Sequence, residues 1–346
     1  DGTQIATASA DGTARVWDLN SGEFQILEGH QDEVYDARFN ADGTQVVTAS
    51  RDGNAHIWDL NSGEFKTLEG HQDEVGRASF NADGTQIVTA SADGTARVWD
   101  IKSGKFQLLE GHDGELYNAI FDADGNQVVT VSEDDTARVW DLNSGESKLL
   151  EGHKDWVYNA RFNADGTQVV TASKDGTVRV WNLNSGESKL LEVGENPVVY
   201  ASFSADDTQI VTIATDGITH VWDIKGRQLA LFEGDISILS PDGQRMATVK
   251  DGGVEAQEIL TLPELLDWGC QWLDNYLKYG KATNADRALC NLPSRDDDAQ
   301  PDTVSSANTS ATLAVSPFVS DMVHSAIVNP PFSPAHHRPT LKATAG

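Results

Sequence analysis

The sequence is short of cysteine and of basic residues, and it has no long apolar run. Two cysteines in 346 residues are too few for a disulfide framework. Its 25 Lys and Arg stand against 54 Asp and Glu, a net charge of −29, and a surface this acidic repels nucleic-acid phosphates and anionic lipids. No apolar run reaches the roughly 18–20 residues that span a bilayer. We therefore expect a cytoplasmic chain that binds neither nucleic acid nor membrane.

The short motifs of metal and cofactor sites are also missing. The chain has no Cys-x-x-Cys pair, no P-loop and no dinucleotide fingerprint. Its many Asp-Gly pairs lack the alternating carboxylates and final Glu of calcium loops. Asp-Gly favours positive φ, so these pairs predict hairpin turns instead. We predict no metal site and no cofactor.

What the sequence does contain is one unit, repeated. Tryptophan recurs every 41 residues, at Trp17, Trp58, Trp99, Trp140, Trp181 and Trp222. Gly-His pairs keep the same spacing at 29/30, 70/71, 111/112 and 152/153. A fixed period in this range is typical of repeat architectures.

Each unit predicts four short strands separated by turns. In residues 30–70 the apolar residues favour strands beginning at Val34, Val46, His56 and Phe65. The second strand, Val46 to Ser50, has little polarity on either side, which indicates burial on both faces. Four strands in about 40 residues cannot form an independent core, so each sheet must pack on its neighbours. Radial stacking into a closed ring meets that requirement.

The chain resembles WD-repeat β-propellers, whose signature is Gly-His, then an Asp in a tight turn, then Trp-Asp. Here these are Gly29-His30, Asp52 and Trp58-Asp59. The resemblance covers roughly residues 1–260 and implies an all-β fold, a propeller of seven blades. The first blade is incomplete, because Asp1-Gly2 aligns with Asp42-Gly43 after a first strand, so we expect a fragment of a longer chain. The seventh is degenerate, with residues 245–250 as its second strand.

One repeated constellation imitates an active site, because it contains Ser, His and Asp. In the WD family, residues matching His30, Ser50, Asp52 and Trp58 converge: the Asp holds the His, the His bonds the Ser, and the Ser bonds the indole N–H. A hydrolase needs such a triad once, whereas a device that ties a turn to a strand is needed in every blade. The repetition therefore favours a structural network, with no catalytic residue. The further copies are His71, Ser91, Asp93 and Trp99; His112, Ser132, Asp134 and Trp140; and His153, Ser173, Asp175 and Trp181.

The sixth blade departs from this pattern. Val193-Gly194 replaces Gly-His, and Ala214 stands where the serine was. With Trp222 and Asp216 left alone, we expect this blade to be less well tied than blades two to five.

Positions that vary between copies are candidates for a partner-binding surface. Three of them vary most: the residue before the first strand, the second residue of that strand, and the residue before the turn Asp. In WD propellers the corresponding places ring the mouth of the channel and often contact partner proteins. Tyr, Trp and Arg commonly anchor interfaces. The predicted partner-binding residues are Tyr35, Arg51, Tyr117, Glu133, Trp156, Tyr158 and Lys174.

After residue 260 the period stops. Residues 261–292 predict a helical extension, with Leu265, Trp268, Trp272 and Leu273 at helical spacing. This stretch resembles the tail that follows the C-terminal propeller of cyanobacterial NACHT and other STAND-type signalling proteins. Residues 293–346 are rich in Asp, Ser, Ala and Pro and predict a disordered tail.

The leading hypothesis is a non-enzymatic protein-protein interaction scaffold, the sensor or docking propeller of a larger bacterial signalling protein, with a protein or peptide partner. Two alternatives stay open. One is a hydrolase-type enzyme with a pocket at the channel mouth, and the other is a purely structural assembly module.

Overall fold

The computed structural model describes residues 3–233, 236–239, 245–250 and 253–258, with side chains from 3 to 231. Within these ranges every regular element is a β-strand. The strands form seven antiparallel sheets, and in each sheet the spatial order of the strands follows the chain.

The first sheet has three described strands and the next five have four each. The first contains β1 (Gln4–Ala8), β2 (Thr13–Asp18) and β3 (Phe24–Glu28). The second contains β4 (Val34–Phe39), β5 (Gln45–Ser50), β6 (Ala55–Asp59) and β7 (Phe65–Leu68). The third contains β8 (Val75–Phe80), β9 (Gln86–Ser91), β10 (Thr95–Asp100) and β11 (Phe106–Glu110).

The fourth sheet contains β12 (Leu116–Phe121), β13 (Gln127–Ser132), β14 (Thr136–Asp141) and β15 (Ser147–Glu151). The fifth contains β16 (Val157–Phe162), β17 (Gln168–Ser173), β18 (Thr177–Asn182) and β19 (Ser188–Glu192). The sixth contains β20 (Val198–Phe203), β21 (Gln209–Ala214), β22 (Ile218–Asp223) and β23 (Gln228–Glu233). The seventh, with three described strands, contains β24 (Ile236–Leu239), β25 (Arg245–Lys250) and β26 (Gly253–Glu258).

The apolar core is divided into clusters that lie between consecutive sheets. The cluster between the first and second sheets joins Ala14, Val16 and Leu27 to Val34, Val46 and Trp58. The next residue of the same strand, Val47, belongs to the cluster between the second and third sheets. The second strand is therefore buried on both faces, as its composition predicts. Equivalent clusters join the third sheet to the fourth, the fourth to the fifth and the fifth to the sixth.

The first strands of the second to sixth sheets lie at the sheet edges and contact one another in succession. We call β4, β8, β12, β16 and β20 the inner strands, and the side of them away from their own sheets the axial side. Repeated four-stranded sheets stacked in this way fit the propeller that the period predicts. A closed ring of seven blades stays a prediction, because the side chains of the seventh sheet lie outside the described residues. So do the predicted helix within 261–292 and the predicted tail 293–346.

Each inner strand carries a register shift at its second residue. In β4, Val34 pairs with Ser50 and Asp36 with Ala49, which leaves Tyr35 outside the ladder. The same shift occurs at Gly76, Tyr117, Tyr158 and Val199. A β-bulge re-aims the side chain of the extra residue. One of the three variable positions is thus the bulge residue itself.

Candidate functional site

A hydrogen-bonded network joins a loop, a turn and two strands in each of the second to fifth sheets. In the second sheet, His30 Nδ1 lies 2.9 Å from Asp52 Oδ2 and His30 Nε2 lies 2.7 Å from Thr48 Oγ1. The Trp58 indole N–H donates to the same Thr48 oxygen at 2.9 Å. Two side chains, those of His30 and Trp58, therefore meet at the Thr48 hydroxyl.

The network is complete when His30 is neutral. Burial lowers the pKa of His30, while its contact with Asp52 raises it, and the net direction is downward. Burial acts to raise the pKa of Asp52, but hydrogen bonds from Gln31 N–H and from His30 hold it below its usual value. The indole then donates to Thr48, the Thr48 hydroxyl donates to His30 Nε2, and Nδ1–H donates to the Asp52 carboxylate. In this series of three hydrogen bonds each donor has its own acceptor.

The serine expected in this network has a different role, and that prediction was wrong. Ser50 Oγ donates to the Asp32 carbonyl at 3.2 Å and accepts the Asp52 N–H at 3.1 Å. Ser50 therefore fixes the turn that carries Asp52 and does not bridge His30 to Trp58. The correction applies equally to Ser91, Ser132 and Ser173, whose places are taken by Thr89, Thr130 and Thr171. The reason is strand geometry, since side chains two residues apart share a face but lie about 6–7 Å apart along the strand.

The contacts repeat almost unchanged from sheet to sheet. The His to Asp distance is 2.8 Å for His71–Asp93, 2.8 Å for His112–Asp134 and 3.0 Å for His153–Asp175. Trp99, Trp140 and Trp181 each donate to the threonine ten residues earlier. Thr48, Thr89 and Thr171 are fully buried, so no substrate could reach these hydroxyls. The predicted structural residues are thus brought together in four copies, with threonine in the serine's place.

The sixth sheet keeps more of the network than its sequence suggests. Trp222 donates to Thr212 Oγ1 at 3.1 Å, and Asn196 Nδ2 donates to Asp216 Oδ2 at 2.8 Å. Trp222 and Asp216 therefore have partners outside the predicted tetrad, and the expectation that this sheet is less well tied stays a prediction. What this sheet lacks is the histidine that would join its two halves.

Backbone hydrogen bonds hold the variable positions side by side. Arg51 N–H donates to the Glu33 carbonyl at 2.9 Å, and Lys174 N–H donates to the Trp156 carbonyl at 2.8 Å. The residue before the first strand and the residue before the turn Asp are therefore neighbours in every such sheet. With the bulge residue they form what we call the variable face.

The predicted partner-binding residues fall into two groups on this face. In the first group, Glu74 accepts the Tyr35 hydroxyl at 2.9 Å and Arg51 Nε–H at 2.8 Å. Both carboxylate oxygens of Glu74 are engaged, so Tyr35 and Arg51 are held by a residue of the next sheet. This group is already satisfied internally.

The second group is an aromatic cluster of Tyr117, Trp156 and Tyr158. The ring of Tyr117 lies 5.8 Å from that of Trp156 and 5.3 Å from that of Tyr158. Trp156 and Tyr158 lie 6.4 Å apart, edge to face. Tyr117 is buried and the other two are partly exposed. Aromatic pairs at these distances hold one another in place and present a rigid apolar surface.

A cation lies on this cluster. Lys174 Nζ is 3.8 Å from the centroid of the Trp156 ring and 3.3 Å from Asp155 Oδ1. An ammonium over an indole face is the preferred cation–π arrangement. The cluster therefore already binds one positively charged side chain of its own chain.

Comparison with known protein families decides what these repeats are. The family described as WD domain, G-beta repeat matches residues 1–18, 22–59, 63–100, 104–141 and 145–182. The chain carries WD repeats across residues 1–182. No curated protein matches it. WD-repeat proteins are typically non-enzymatic scaffolds that commonly mediate protein–protein interactions.

Carboxylates surround the aromatic cluster of this WD-repeat face. Burial raises the pKa of Glu115, and the nearby Glu133, Asp73 and Glu74 raise it further. Burial also raises the pKa of the Tyr117 phenol, with Glu133 the next largest cause. Glu115 thus lies close enough to Glu74 and to Glu133 for both charges to raise its pKa. The two groups are connected through an acidic stretch that attracts positive charge.

Three functional residues escaped the sequence interpretation: the bridging threonine, Glu74 and Asp155. The threonine could have been found, because the six tryptophans from Trp17 to Trp222 all have a threonine ten residues earlier. The serine that follows this threonine by two residues is absent from the sixth repeat, where Ala214 replaces it. Glu74 and Asp155 act on residues of another strand or sheet, and no spacing in the sequence indicates that.

Neither a metal site nor a membrane-spanning helix is present in the part of the chain that the structure describes. No three His, Cys, Asp or Glu side chains converge there as ligands. None of its elements is a helix long and apolar enough to cross a bilayer.

Proposed function

We propose that this WD-repeat protein is a non-enzymatic scaffold that captures a protein segment carrying a basic side chain. The aromatic cluster Tyr117, Trp156 and Tyr158 is the docking site. The observation that supports this most is Lys174 over the Trp156 ring at 3.8 Å, because this ring already holds a cation of the kind that we propose the partner supplies. The partner's cation takes the place of Lys174, which swings toward solvent.

The surroundings favour such an exchange. Burial raises the pKa of the Tyr158 phenol, and the nearby carboxylates of Asp155 and Glu133 raise it further. The same two carboxylates attract a positive charge to the aromatic rings. Desolvated cation–π contacts contribute about 2 kcal/mol or more, against about 0.5–1 kcal/mol at exposed sites. An incoming segment that covers the cluster therefore binds more strongly than the exposed Lys174.

The wider context of the proposal is a bacterial signalling protein in the cytoplasm, in which the propeller serves as sensor or docking module. The support is the segment Leu265 to Leu277, which resembles the tail after the propeller of NACHT and other STAND-type proteins. Sequencing upstream of Asp1 tests this part. An open frame with a P-loop supports it, and a start codon close to Asp1 contradicts it.

A displayed library of unstructured peptides tests the docking site. The expected result is enrichment of peptides with Lys or Arg next to apolar residues, and at least about tenfold weaker binding of the best peptide to Trp156→Ala and to Glu133→Lys. The matched controls are Leu190→Ala and Glu192→Lys on the outermost strand β19, which should bind normally. Equal binding by the site variants and the controls would overturn the proposed site.

Lys174→Gln separates displacement from direct contact. If Lys174 is displaced by the partner, its removal leaves the Trp156 ring and Asp155 free and should tighten peptide binding severalfold. Weaker binding would make Lys174 a contact of the partner and contradict the exchange. Binding of the chain only to itself would favour an assembly module instead.

A further inference from the structure

Arginines collect on the axial side of the inner strands, below the variable face. Two repeat positions of these strands, the third and the fifth, differ from copy to copy. The third positions are Asp36, Arg77, Asn118, Asn159 and Tyr200, and the fifth are Arg38, Ser79, Ile120, Arg161 and Ser202. Three guanidinium groups and one carboxylate therefore stand at these ten positions. The surrounding protein has a net charge of −29, so a local excess of positive charge needs a reason.

One carboxylate serves two of the arginines. Asp36 Oδ2 accepts Arg38 Nε–H at 2.8 Å, and Asp36 Oδ1 lies 3.4 Å from Arg77 Nη1. Asp36 Oδ2 also accepts the backbone N–H of Ala78 at 3.5 Å. The side chains of Arg38 and Arg77 keep 27% and 31% of their surface exposed. Their guanidinium groups thus border an open space.

Arg161 lies at the fifth position of β16 and forms no salt bridge with a carboxylate of the described residues. Its guanidinium carbon lies 5.9 Å from the centroid of the Tyr200 ring, and its Nε is buried without a hydrogen-bond partner among the described residues. Burial lowers the pKa of Arg161 most, Tyr200 opposes this, and the charges of Arg38 and Arg77 lower the pKa further while Asp36 raises it. Arg161 stands at the same repeat position of its inner strand as Arg38, and β4, β8, β12 and β16 contact one another in succession.

Two more polar groups of the inner strands are buried and unpartnered. They are Ser79 Oγ and the Asn118 side-chain oxygen. The oxygen and nitrogen of an Asn amide are interchangeable by rotation, so Asn118 can also present an N–H group. Buried polar groups in native proteins have partners, including water and ions. Ser79 and Asn118 lie on the adjacent strands β8 and β12, at the same two repeat positions as the three arginines, so one ligand at these positions would serve both.

We propose that the axial side of the inner strands binds a small free oxyanion of the phosphate type, held by Arg38, Arg77 and Arg161 with Ser79 as a hydroxyl donor. The chemistry fits, because guanidinium groups present paired N–H donors that match the oxygens of a tetrahedral anion. The charge fits as well, since three cations and one carboxylate leave a net +2. The anion joins inner strands of the second, third and fifth sheets and so fastens the array from within.

Thermal unfolding of the whole chain with inorganic phosphate tests the site. The melting temperature should rise saturably with phosphate, and sodium chloride at matched ionic strength should not reproduce the rise. Isothermal titration should give about one phosphate per chain. An increase that follows ionic strength alone, or no heat of binding, would overturn the proposal.

Arg161→Gln distinguishes a ligand-binding arginine from a structural one. The proposal predicts that this variant binds phosphate at least about tenfold more weakly, and that without phosphate its melting temperature is unchanged or higher, because repulsion by Arg38 and Arg77 is relieved. A purely structural role over Tyr200 predicts the opposite, a lower melting temperature with the phosphate response retained. Arg227→Gln, on an exposed turn beside Asp223, is the matched control and should behave as wild type.

A second arginine and a second ligand complete the test. Arg38→Gln should also weaken phosphate binding, so that a folding defect of one variant does not decide the outcome. A phosphoserine peptide that binds about as well as free phosphate and is competed by it would place the anion on a partner segment and contradict a free-ion site. Peptide binding much weaker than phosphate binding supports the free ion.

Discussion

At the scale of single residues, the threonine of each network both donates and accepts a hydrogen bond while it is fully buried. Thr171 Oγ1 receives the Trp181 indole N–H at 2.9 Å and lies 2.7 Å from His153 Nε2. Its loss leaves an N–H group and a ring nitrogen buried with no partner. An unsatisfied buried group costs about 1–3 kcal/mol, whereas a made hydrogen bond adds only about 0.5–1.5 kcal/mol.

Thr171→Val should therefore lower the free energy of unfolding by about 2–4 kcal/mol, because Val keeps the shape but removes both hydrogen bonds. Ser173→Ala in the same strand should cost about 1 kcal/mol, because it removes only contacts to the Asp155 carbonyl and the Asp175 N–H. Urea unfolding of both variants measures this difference. A larger loss in Ser173→Ala would restore the serine as the centre of the network.

His56 gives the second sheet a sensitivity to acid. It stands where Arg97, Arg138 and Arg179 stand in other sheets, and its ring stacks on that of His30 at 3.8 Å. Burial first and the neighbouring His30 second lower the pKa of His56 to about 4, although Asp52 opposes this. The folded state therefore favours the neutral ring.

The stabilising effect of neutral His56 should be complete above pH 6.5, its ordinary value, and lost as the pH falls toward about 4. Between these limits the unfolded chain binds more protons than the folded one, so stability falls with the pH. The expected loss is of the order of 1–2 kcal/mol once screening by solvent is allowed for. His56→Gln should flatten the dependence of the unfolding midpoint on pH in this window. Parallel curves for the two proteins would contradict the assignment.

At the scale of elements, the sixth sheet has the hydrogen-bonded network without the histidine that joins its two halves in the other sheets. Asp216, Thr212 and Trp222 are in place, and Gly194 stands where the histidine is in the other sheets. A Cβ added at Gly194 meets no atom within 4 Å. The position therefore has room for a side chain.

Gly194→His should join the two halves and raise the free energy of unfolding by about 1 kcal/mol more than Gly194→Ala, which measures the backbone effect alone. Hydrogen exchange should slow in β21 and β22, which we expect to be less protected than β17 and β18 in the wild type. No gain of His over Ala, or equal protection of the fifth and sixth sheets at the outset, would show that the histidine link does not matter here.

Two turns have an aspartate at positive φ where the equivalent turns of other sheets have glycine. Only one of these two aspartates makes a contact that explains its presence. Asp207 has φ of 56° and accepts the Ala164 N–H of the preceding sheet at 3.0 Å. Asp135 has φ of 65°, and its pKa is raised first by burial and then by the acidic Asp155, Asp134 and Asp175. The carboxylate of Asp135 is therefore poorly placed.

Asp135→Gly should stabilise the protein by about 0.5–1 kcal/mol, through relief of the left-handed backbone and of the repulsion. Asp207→Gly should bring no such gain, because it removes a link between sheets. Urea midpoints of the two variants provide the comparison. Stabilisation by both, or by neither, would mean that the backbone conformation and not the surroundings governs these turns.

The sequence predicts elements well and cross-sheet partners poorly. The strand order and the doubly buried second strand follow from a period and a two-sided apolar pattern, both of which lie within a single repeat. The choice of Thr48 over Ser50 depends on how far His30 reaches across the sheet. The pairing of Tyr35 with Glu74 depends on a residue of the next sheet, 39 residues away in the sequence. The arginines of the inner strands follow no shared pattern, so only the fold brings them together.

At the scale of the whole molecule, the side chains that repeat from sheet to sheet and the side chains that vary lie in different places. The repeated side chains lie within sheets or between neighbouring sheets, where they stabilise the array pair by pair. The varying side chains lie on the variable face and the axial side, where they leave charges and rings facing open space. Exchange of residues between sister positions should therefore change binding without changing the fold.

The central claim is that the aromatic cluster of the fourth and fifth sheets binds the partner through Trp156, Tyr158 and Lys174, in whose places the third sheet has other residues. The direct measurement compares the wild type with a chain in which Trp156→Glu, Tyr158→Gly and Lys174→Ala introduce the residues of the third sheet, Glu74, Gly76 and Ala92. Those residues are already compatible with the fold at these positions. We predict a melting temperature within a few degrees of the wild type and a loss of affinity for the selected peptide of about 100-fold or more. Unchanged affinity in a folded triple variant would contradict the account.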